Sequence, residues 1–525
     1  MGLFGRIFGR KPADPKPLGK RGYEGAANNR LTADWLAGSR SADAEILGSL
    51  RTLRDRSRQI IRDYDFVRHG LSSIVNNVVG KGVKLQMQVP KLRGKKLDEK
   101  INDAIEMEFW RWGRRGRCDV TGIHSWEDLQ RIVLRSVAQD GEILVRAITS
   151  AGAFGDSNYP FALEIIEADF LDENKNGPHN GNEIRMGVEV DRWGRPVAYW
   201  FRNRHPGDYA YSGIASAETG TRVPASEIRH VFLPDRPHQT RGVPWLACAL
   251  SRVRQVKGYE ESEVVAARAQ AANMGVIETE GDYATDGEQD GMPVINMAPG
   301  VIERLAPGEK ITWNNPTRPA GNYEPFMRAQ MRGIAAGLSI TYEELTGDYS
   351  QSNYSSSRMA MLNSRDHYRV IQDWLIGQLH EWVFAKWIET IDRWKVLDNV
   401  GFAAKAVRYE DYATWRPRGW SWIDPSKEVQ SAKESIRAGF MTMRDVAEAQ
   451  GLDLEELMAA RRAELDMAET LGLDFDTDPG AFTLQGQAQQ ANVAGQVGQP
   501  DNPKADQSAG GQSDGSQAGD SAADS

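Results

Sequence analysis

Cysteine is almost missing from this chain: Cys118 and Cys248 are the only two, and they form no CxxC pair. That excludes a disulfide framework and makes buried free thiols in a reducing compartment the expectation. Long apolar runs are missing too. No stretch of about 18 consecutive apolar residues occurs, so no transmembrane helix is expected. Residues 1–20 set Leu3, Phe4, Ile7 and Phe8 among Arg6, Arg10 and Lys11. Their apolar core is too short for a secretory signal and no small-residue cleavage site follows, so they read as a mobile basic arm. Positive charge is in deficit: 64 Lys and Arg face 73 Asp and Glu, a net charge of −9. A static grip on nucleic acid draws on phosphate neutralisation. The acidity therefore argues against a sequence-specific DNA binder, while leaving room for a protein past which DNA slides.

Catalytic constellations are missing as well. There is no HExxH, GxSxG or GxGxxG. The eight histidines (His69, His124, His179, His205, His230, His238, His367 and His380) show no ligand spacing with a carboxylate or cysteine and read as structural or exposed. Ser355, Ser356 and Ser357 lie near His367 in sequence, but no base–orienter relation follows. The expectation is no enzyme, no metal and no cofactor. Val79-Gly-Lys-Gly-Val83 lacks the spacing of a phosphate loop.

What is present is a mixed α+β pattern. Ile60, Tyr64, Val67, Leu71, Ile74 and Val78 predict one helix from about 55 to 79, with Gly80 closing it. Arg54, Arg58 and Arg62 form a row at four-residue spacing that reads as its solvated face. A strand over 83–89 and a helix over 97–112 follow. Ser125 and Asp128 predict a capping box, and Asp140-Gly141 ends the helix it opens. Strands are expected at 142–148, 161–167, 184–190 and 196–201, the last two joined at Asp191-Arg-Trp-Gly194. A helix over 245–274, roughly 45 Å long, has an Ala-rich second half without a broad apolar stripe. One chain buries such a helix poorly, which suggests packing against copies of itself. Short strands fill 275–319, at 275–278, 293–297, 301–305 and 311–313.

Residues 322–394 organise the rest. Met327, Met331, Ile334 and Leu338 mark one helix face; Ile371, Leu375, Leu379, Trp382, Val383, Trp387, Ile391 and Trp394 mark a long second stripe. Between them a polar, Ser-rich break at 345–357 predicts a loop of about a dozen residues, longer than two helices need. Trp415, Trp420 and Trp422 form an aromatic patch, followed by helices near 425–438, 442–450 and 454–472. From 481 the chain is Gln, Ala, Gly, Ser and Asp, too poor in apolar residues to order itself.

Over 51–473 the sequence resembles the portal proteins of lambda-type tailed bacteriophages. The residues that carry the likeness are Arg51-Thr-Leu-Arg-Asp-Arg-Ser-Arg58 with Val78-Val-Gly-Lys-Gly82, and Val188-Glu-Val-Asp-Arg-Trp-Gly-Arg-Pro-Val-Ala-Tyr199. To these add His230 to Phe232, Arg236-Pro-His-Gln-Thr-Arg-Gly-Val-Pro-Trp245, and Asp424-Pro-Ser-Lys-Glu428 with Ala438-Gly-Phe-Met-Thr442. The most specific block is Ile334-Ala-Ala-Gly-Leu-Ser-Ile-Thr-Tyr-Glu-Glu-Leu-Thr-Gly-Asp348 with Asn353-Tyr-Ser-Ser-Ser-Arg358. Arg62-Asp-Tyr64 departs from the Arg-Asn-Asn expected there, and Phe440-Met441 replaces a more usual Leu-containing pair.

The resemblance implies an α+β portal fold assembled as a ring, typically dodecameric, at one capsid vertex. Terminase would pump double-stranded DNA through it, and a head–tail adaptor or tail would attach to it. Major capsid protein and scaffold are the other implied partners, and no membrane is. The implied places are the virion and, during assembly, the host cytoplasm. It implies a basic arm at 1–30, a wing at 31–240, stem helices at 241–274 and 320–344, and a clip at 275–319. A channel loop at 345–357, a long wing helix at 358–400, a wing and crown region at 401–480 and a disordered tail at 481–525 complete it. The DNA-facing residues would be Gly347, Asp348, Tyr349, Ser350, Gln351, Ser352, Asn353, Tyr354, Ser355 and Ser356. The clip contacts to motor or adaptor would be Asp282, Asp286, Glu288, Asn314 and Arg318. The alternatives are the portal of a gene-transfer agent or defective prophage, a vertex-associated nuclease or protease, and a static DNA-binding protein.

Overall fold

The structure is a computed structural model that describes residues 30, 38–91, 96–149, 160–208, 220–271, 275–279, 309–313, 323–397, 402 and 408–473. The chain divides into two compact units, 1–451 and 452–525.

In the first unit, α1 (Ala42–Ile46), α2 (Leu50–Asp63) and α3 (Asp65–Val78) lead to β1 (Lys84–Met87), then α4 (Glu99–Trp112) and α5 (Trp126–Asp140). The one helix expected near 55–79 is two. Tyr64 is extended (φ −129°, ψ 113°) and separates them. The reason is phase: α2 buries Leu50, Arg54, Ser57 and Ile61, a face of which hydropathy counts only the two ends, and it is offset from the apolar face of α3. The capping box at Ser125 and Asp128 forms as expected, and Gly141 ends α5 in the left-handed region (φ 92°).

Strands β2 (Glu142–Thr149), β3 (Phe161–Ile166), β4 (Gly177–His179), β5 (Asn182–Arg185), β6 (Val188–Val190), β7 (Pro196–Phe201), β8 (Thr221–Pro224) and β9 (Ile228–Phe232) make two antiparallel sheets, ordered β3-β2-β9 and β4-β5-β6-β7-β8. The strand expected over 184–190 is two strands, because Met186 (φ 48°) and Gly187 (φ 86°) turn the chain back on itself. A Cβ on Gly187 would lie 2.8 Å from the Asp172 carbonyl oxygen, so only glycine passes there.

Helix α6 (Leu250–Ala271) is followed by the hairpin of β10 (Gly275–Thr279) and β11 (Glu309–Trp313), then α7 (Tyr323–Gly337) and α8 (Tyr342–Thr346). The strands expected at 293–297 and 301–305 lie outside the described residues. Helix α9 (Tyr354–Leu375) runs through a single π turn at Ile376–His380 into α10 (Glu381–Arg393). The Arg229 guanidinium, from β9, donates to the carbonyls of Gln378 (2.6 Å) and Gly377 (3.2 Å) at that turn. Strand β12 (Ala413–Arg416) pairs with β1, and α11 (Pro425–Arg437) and α12 (Met443–Ala449) complete the unit. The core gathers Val67, Leu71 and Ile74 of α3, Ile105 and Phe109 of α4, Leu129 and Val133 of α5, and Val383 and Trp387 of α10.

In the second unit, α13 (Leu454–Leu471) opens on Asp453, whose carboxylate accepts from the Glu455 and Glu456 amides, and closes at Gly472 (φ 63°). The mixed helix-and-sheet class expected from the sequence is the class observed. Among the described residues, no helix is long and apolar enough to cross a membrane.

Candidate functional site

The break at 345–357 is shorter than its sequence suggests. Thr341 and Glu344 form a capping box that starts α8, Leu345 is fully buried, and Gly347 (φ 71°) ends the helix. Asn353 then accepts from the Ser356 amide at 2.8 Å and starts α9 with a second capping box. The exposed connection is therefore 347–353, and Tyr354, Ser355 and Ser356 form the first turn of α9. The Ser and Asn residues that read as loop are helix-start signals, because their short oxygens accept from otherwise orphan amides.

Both ends of the connection are tied down. On one side, Leu345 packs against Gly70 of α3, and the Leu345 carbonyl lies 3.2 Å from His69 Nδ1. On the other, Ser364 of α9 donates to Glu344 at 3.0 Å. Inside it, Asp348 accepts from the Ser350 amide and from the Tyr342 hydroxyl, each at 3.0 Å. The Ser350 and Tyr342 hydrogen bonds hold this carboxyl below its ordinary pKa. Arg328 of α7 donates to the Gln351 side-chain oxygen at 2.5 Å and pairs with Glu324. Arg358 pairs with Glu428 at 3.5 Å, a cation held by a protein carboxylate. The surface left open carries the hydroxyls of Tyr349, Tyr354, Ser350 and Ser355, amides, and the charge of Asp348, with no Lys or Arg between 347 and 356. Sequence reasoning missed Arg328, His69 and Glu344; their partners are remote or are side chains no periodicity reveals. Asp282, Asp286, Glu288, Asn314 and Arg318 lie outside the described residues.

A second cluster joins α2 to the sheet and to the segment entering α6. Glu142, wholly buried, accepts from Arg54 (2.9 Å), from Arg241 Nε and Nη2 (2.8 and 2.5 Å), from His230 (2.9 Å) and from the Gly242 amide (2.9 Å). Arg58 grips Asp140 with two donors, at 2.8 and 2.9 Å, and Asp169 with one, at 2.6 Å. Arg54 also reaches Asp169 at 3.3 Å. Three guanidiniums thus face three carboxylates. Burial opposes the charge of Glu142, but Arg241 and His230 overcome it, so its pKa falls below the carboxylate range. Burial pushes His230 down, so the ring is neutral and Nε2 donates. The solvated face expected of Arg54, Arg58 and Arg62 is corrected here. Arg54 and Arg58 point inward to carboxylates far along the chain, and only Arg62 is exposed, against Asp63.

Backbone contact reinforces the joint. A Cβ on Gly242 would lie 2.1 Å from the Gly141 carbonyl oxygen, and one on Gly141 would lie 2.5 Å from Val243. Two glycines let the segment entering α6 cross the α5–β2 turn at backbone distance.

The described residues hold one carboxylate–imidazole group of metal-binding dimensions: Glu167, Asp169 and His205. Asp169 is already committed to Arg54 and Arg58, which repel a cation.

Residues 28–372 match the family model described as phage portal protein, lambda family. The probable portal protein of Halomonas phage phiHAP-1 is 31% identical over 474 residues, covering 88% of this chain and 90% of that protein. Portal protein B of Escherichia phage lambda is 22% identical over 490 residues, covering 86% of this chain and 91% of its own. Among solved structures, the neck of an empty gene transfer agent particle is similar at 12% identity and a TM-score of 0.42, covering 80% of this chain and 98% of that one.

Proposed function

The chain belongs to the lambda family of phage portal proteins, and from that membership we propose that it assembles as a closed ring, typically dodecameric, whose bore conducts double-stranded DNA. It is a portal protein, a structural component of the virion. The observation that carries the reading is the family match, which spans α1 through most of α9. Terminase and then a head–tail adaptor would dock at the clip, 275–319. Capsid protein and scaffold would surround the wing, 31–240. Helix α6 within 241–274 and α7 within 320–344 are the proposed stem, and 401–480 is the proposed upper wing and crown. Helix α6 supports a ring on physical grounds: Val264 and Val265 are exposed on it, a surface that a neighbouring copy can cover. Its assembly stage would be in the host cytoplasm, and its task is to hold and guide rather than to catalyse. Native mass spectrometry or electron microscopy of the purified chain is expected to show closed rings; monomers alone at micromolar concentration, under every salt condition, would overturn this.

The loop 347–353 and the first turn of α9 are the proposed DNA-facing surface. Hydroxyls and amides contact phosphate oxygens without the counterion release that makes cationic contacts adhesive. Two arginines beside it, Arg328 and Arg358, are held by Glu324, Gln351 and Glu428. A conduit needs many weak contacts rather than a few strong ones. Replacing Ser350, Ser352 and Ser355 with lysine is expected to leave rings intact and to slow DNA passage at low salt, with the defect easing as salt rises. Packaged DNA length against ionic strength measures it. Wild-type packaging at all salt concentrations would remove the loop from the channel.

A further inference from the structure

Helix α4 has two faces. Ile101, Ile105, Phe109 and Trp112 are buried in the core. Turned away from them, Met107, Trp110, Arg111 and Arg114 follow at spacings of three, one and three, which lines them along one side of the helix and its closing turn. Met107 is 50% exposed and Trp110 56% exposed. The Arg114 guanidinium lies 4.9 Å from the centroid of the Trp110 ring. Residues 111–117 carry Arg111, Arg114, Arg115 and Arg117 and no acidic residue, within a chain whose net charge is −9.

Tryptophan, methionine and arginine are the types enriched at the buried centre of protein interfaces. An exposed tryptophan covered on one face by a guanidinium is a poor platform for a nucleic-acid base, and double-stranded DNA offers no unstacked base to place there. Its phosphates would also leave Met107 and Trp110 wet. Arg111 and Arg115 are already partly neutralised by Glu108 (3.3 Å) and Asp128 (3.1 Å), which weakens a purely electrostatic grip. A protein surface with carboxylates around an apolar recess satisfies both halves of the patch, since a planar guanidinium matches a carboxylate in two-point contact.

We propose that the Met107–Trp110–Arg114 face of α4 docks on a carboxylate-bearing surface of a second copy of this chain. It would form one side of the heterologous contact that closes the ring. The inference rests on the ring reading above. A heterologous contact needs two different, complementary faces on each copy. A chain with more carboxylates than cations supplies acidic surface for a cationic face to meet.

The test uses the full-length protein. Trp110→Ala, Arg114→Ala and Arg114→Glu are followed by native mass spectrometry through a dilution series, and a benzoylphenylalanine photo-crosslinker replaces Met107 in an otherwise unchanged chain. Because these side chains are exposed, melting of the subunit is expected to stay unchanged. The concentration at which rings half-dissociate is expected to rise at least tenfold, most for Arg114→Glu. The crosslink is expected to join two copies through a peptide bearing Asp or Glu. Variants that dissociate at the wild-type concentration, or a crosslink made to DNA or to another protein, would overturn the docking face and leave the ring reading standing. A wild-type chain that forms no ring at any concentration would overturn both.

Discussion

Glu142→Ala is expected to lower the unfolding free energy by about 3–5 kcal/mol, because removing one member of a buried ionic group leaves the others charged and unpaired. Arg241 would lose its carboxylate and Arg54 would keep only Asp169, and neither can deprotonate to escape. Glu142→Gln keeps the shape and removes the charge, so it should fail almost as badly. Urea titration at fixed protein concentration measures both, since assembly makes apparent stability depend on concentration. A loss below about 1 kcal/mol would show that the cluster relaxes into water. The pH dependence has a definite sign. Folding depresses the pKa of Glu142, so its contribution is present above the unfolded value, about 4.3, and is lost as pH falls through the folded value. Burial pushes His380 down to about 4, so it opposes folding progressively as pH drops from about 6.5. Both act in the same direction, and acid should unfold the chain. In Glu142→Gln the contribution of that carboxylate vanishes, and the acid limb should flatten.

Trp387→Ala is expected to cost about 3–5 kcal/mol by a different route, the cavity left when a large buried side chain is truncated. Trp387 is wholly buried, edge-on to Phe109 at 5.1 Å between centroids and stacked on Phe384 at 5.8 Å. Its indole N–H has no hydrogen-bond partner among the described residues, so the loss is packing alone. Trp387→Phe should restore much of it. The effect should reach the loop, because α10 fixes the helix that bears it: amide exchange along α9 should quicken. An alanine variant that unfolds at the wild-type urea concentration would show that Phe109, Phe384 and Trp415 close the gap.

The legible parts of the fold are those fixed by neighbours in sequence. The capping box of α5, the Asp140-Gly141 stop and the turn at Asp191–Gly194 depend on residues within a few positions, and each appears where its pattern predicts. The breaks at Tyr64 and at Met186-Gly187 were not legible. The first follows from a helix face that includes a buried arginine and serine, the second from a backbone approach to Asp172. The arginine row misled for the same reason: its partners, Asp140, Glu142 and Asp169, come from elements brought together only by folding. At the loop, sequence located the exposed polar connection between two helices, but two capping boxes shorten it, and its clamp to Arg328 is a tertiary fact.

Six residues of the second stripe, Ile371, Leu375, Leu379, Val383, Trp387 and Ile391, keep a step of four and are all buried, while Trp394 at its end is exposed. A step of four overshoots one turn by about 40° on a 3.6-residue helix, so five such steps would carry the stripe about 200° around the axis. The wider turn at Ile376–His380 takes up part of that rotation, and Arg229 occupies the carbonyls it turns outward. The helix is therefore a timing device in which one surplus residue sets phase rather than length. Its core end is registered by Trp387, and its loop end is aimed by the width of a single turn. Remove that residue, and the helix keeps its composition and nearly its reach, while the loop end swings about 100° out of line with Glu344 and the wall of α3 that steadies it.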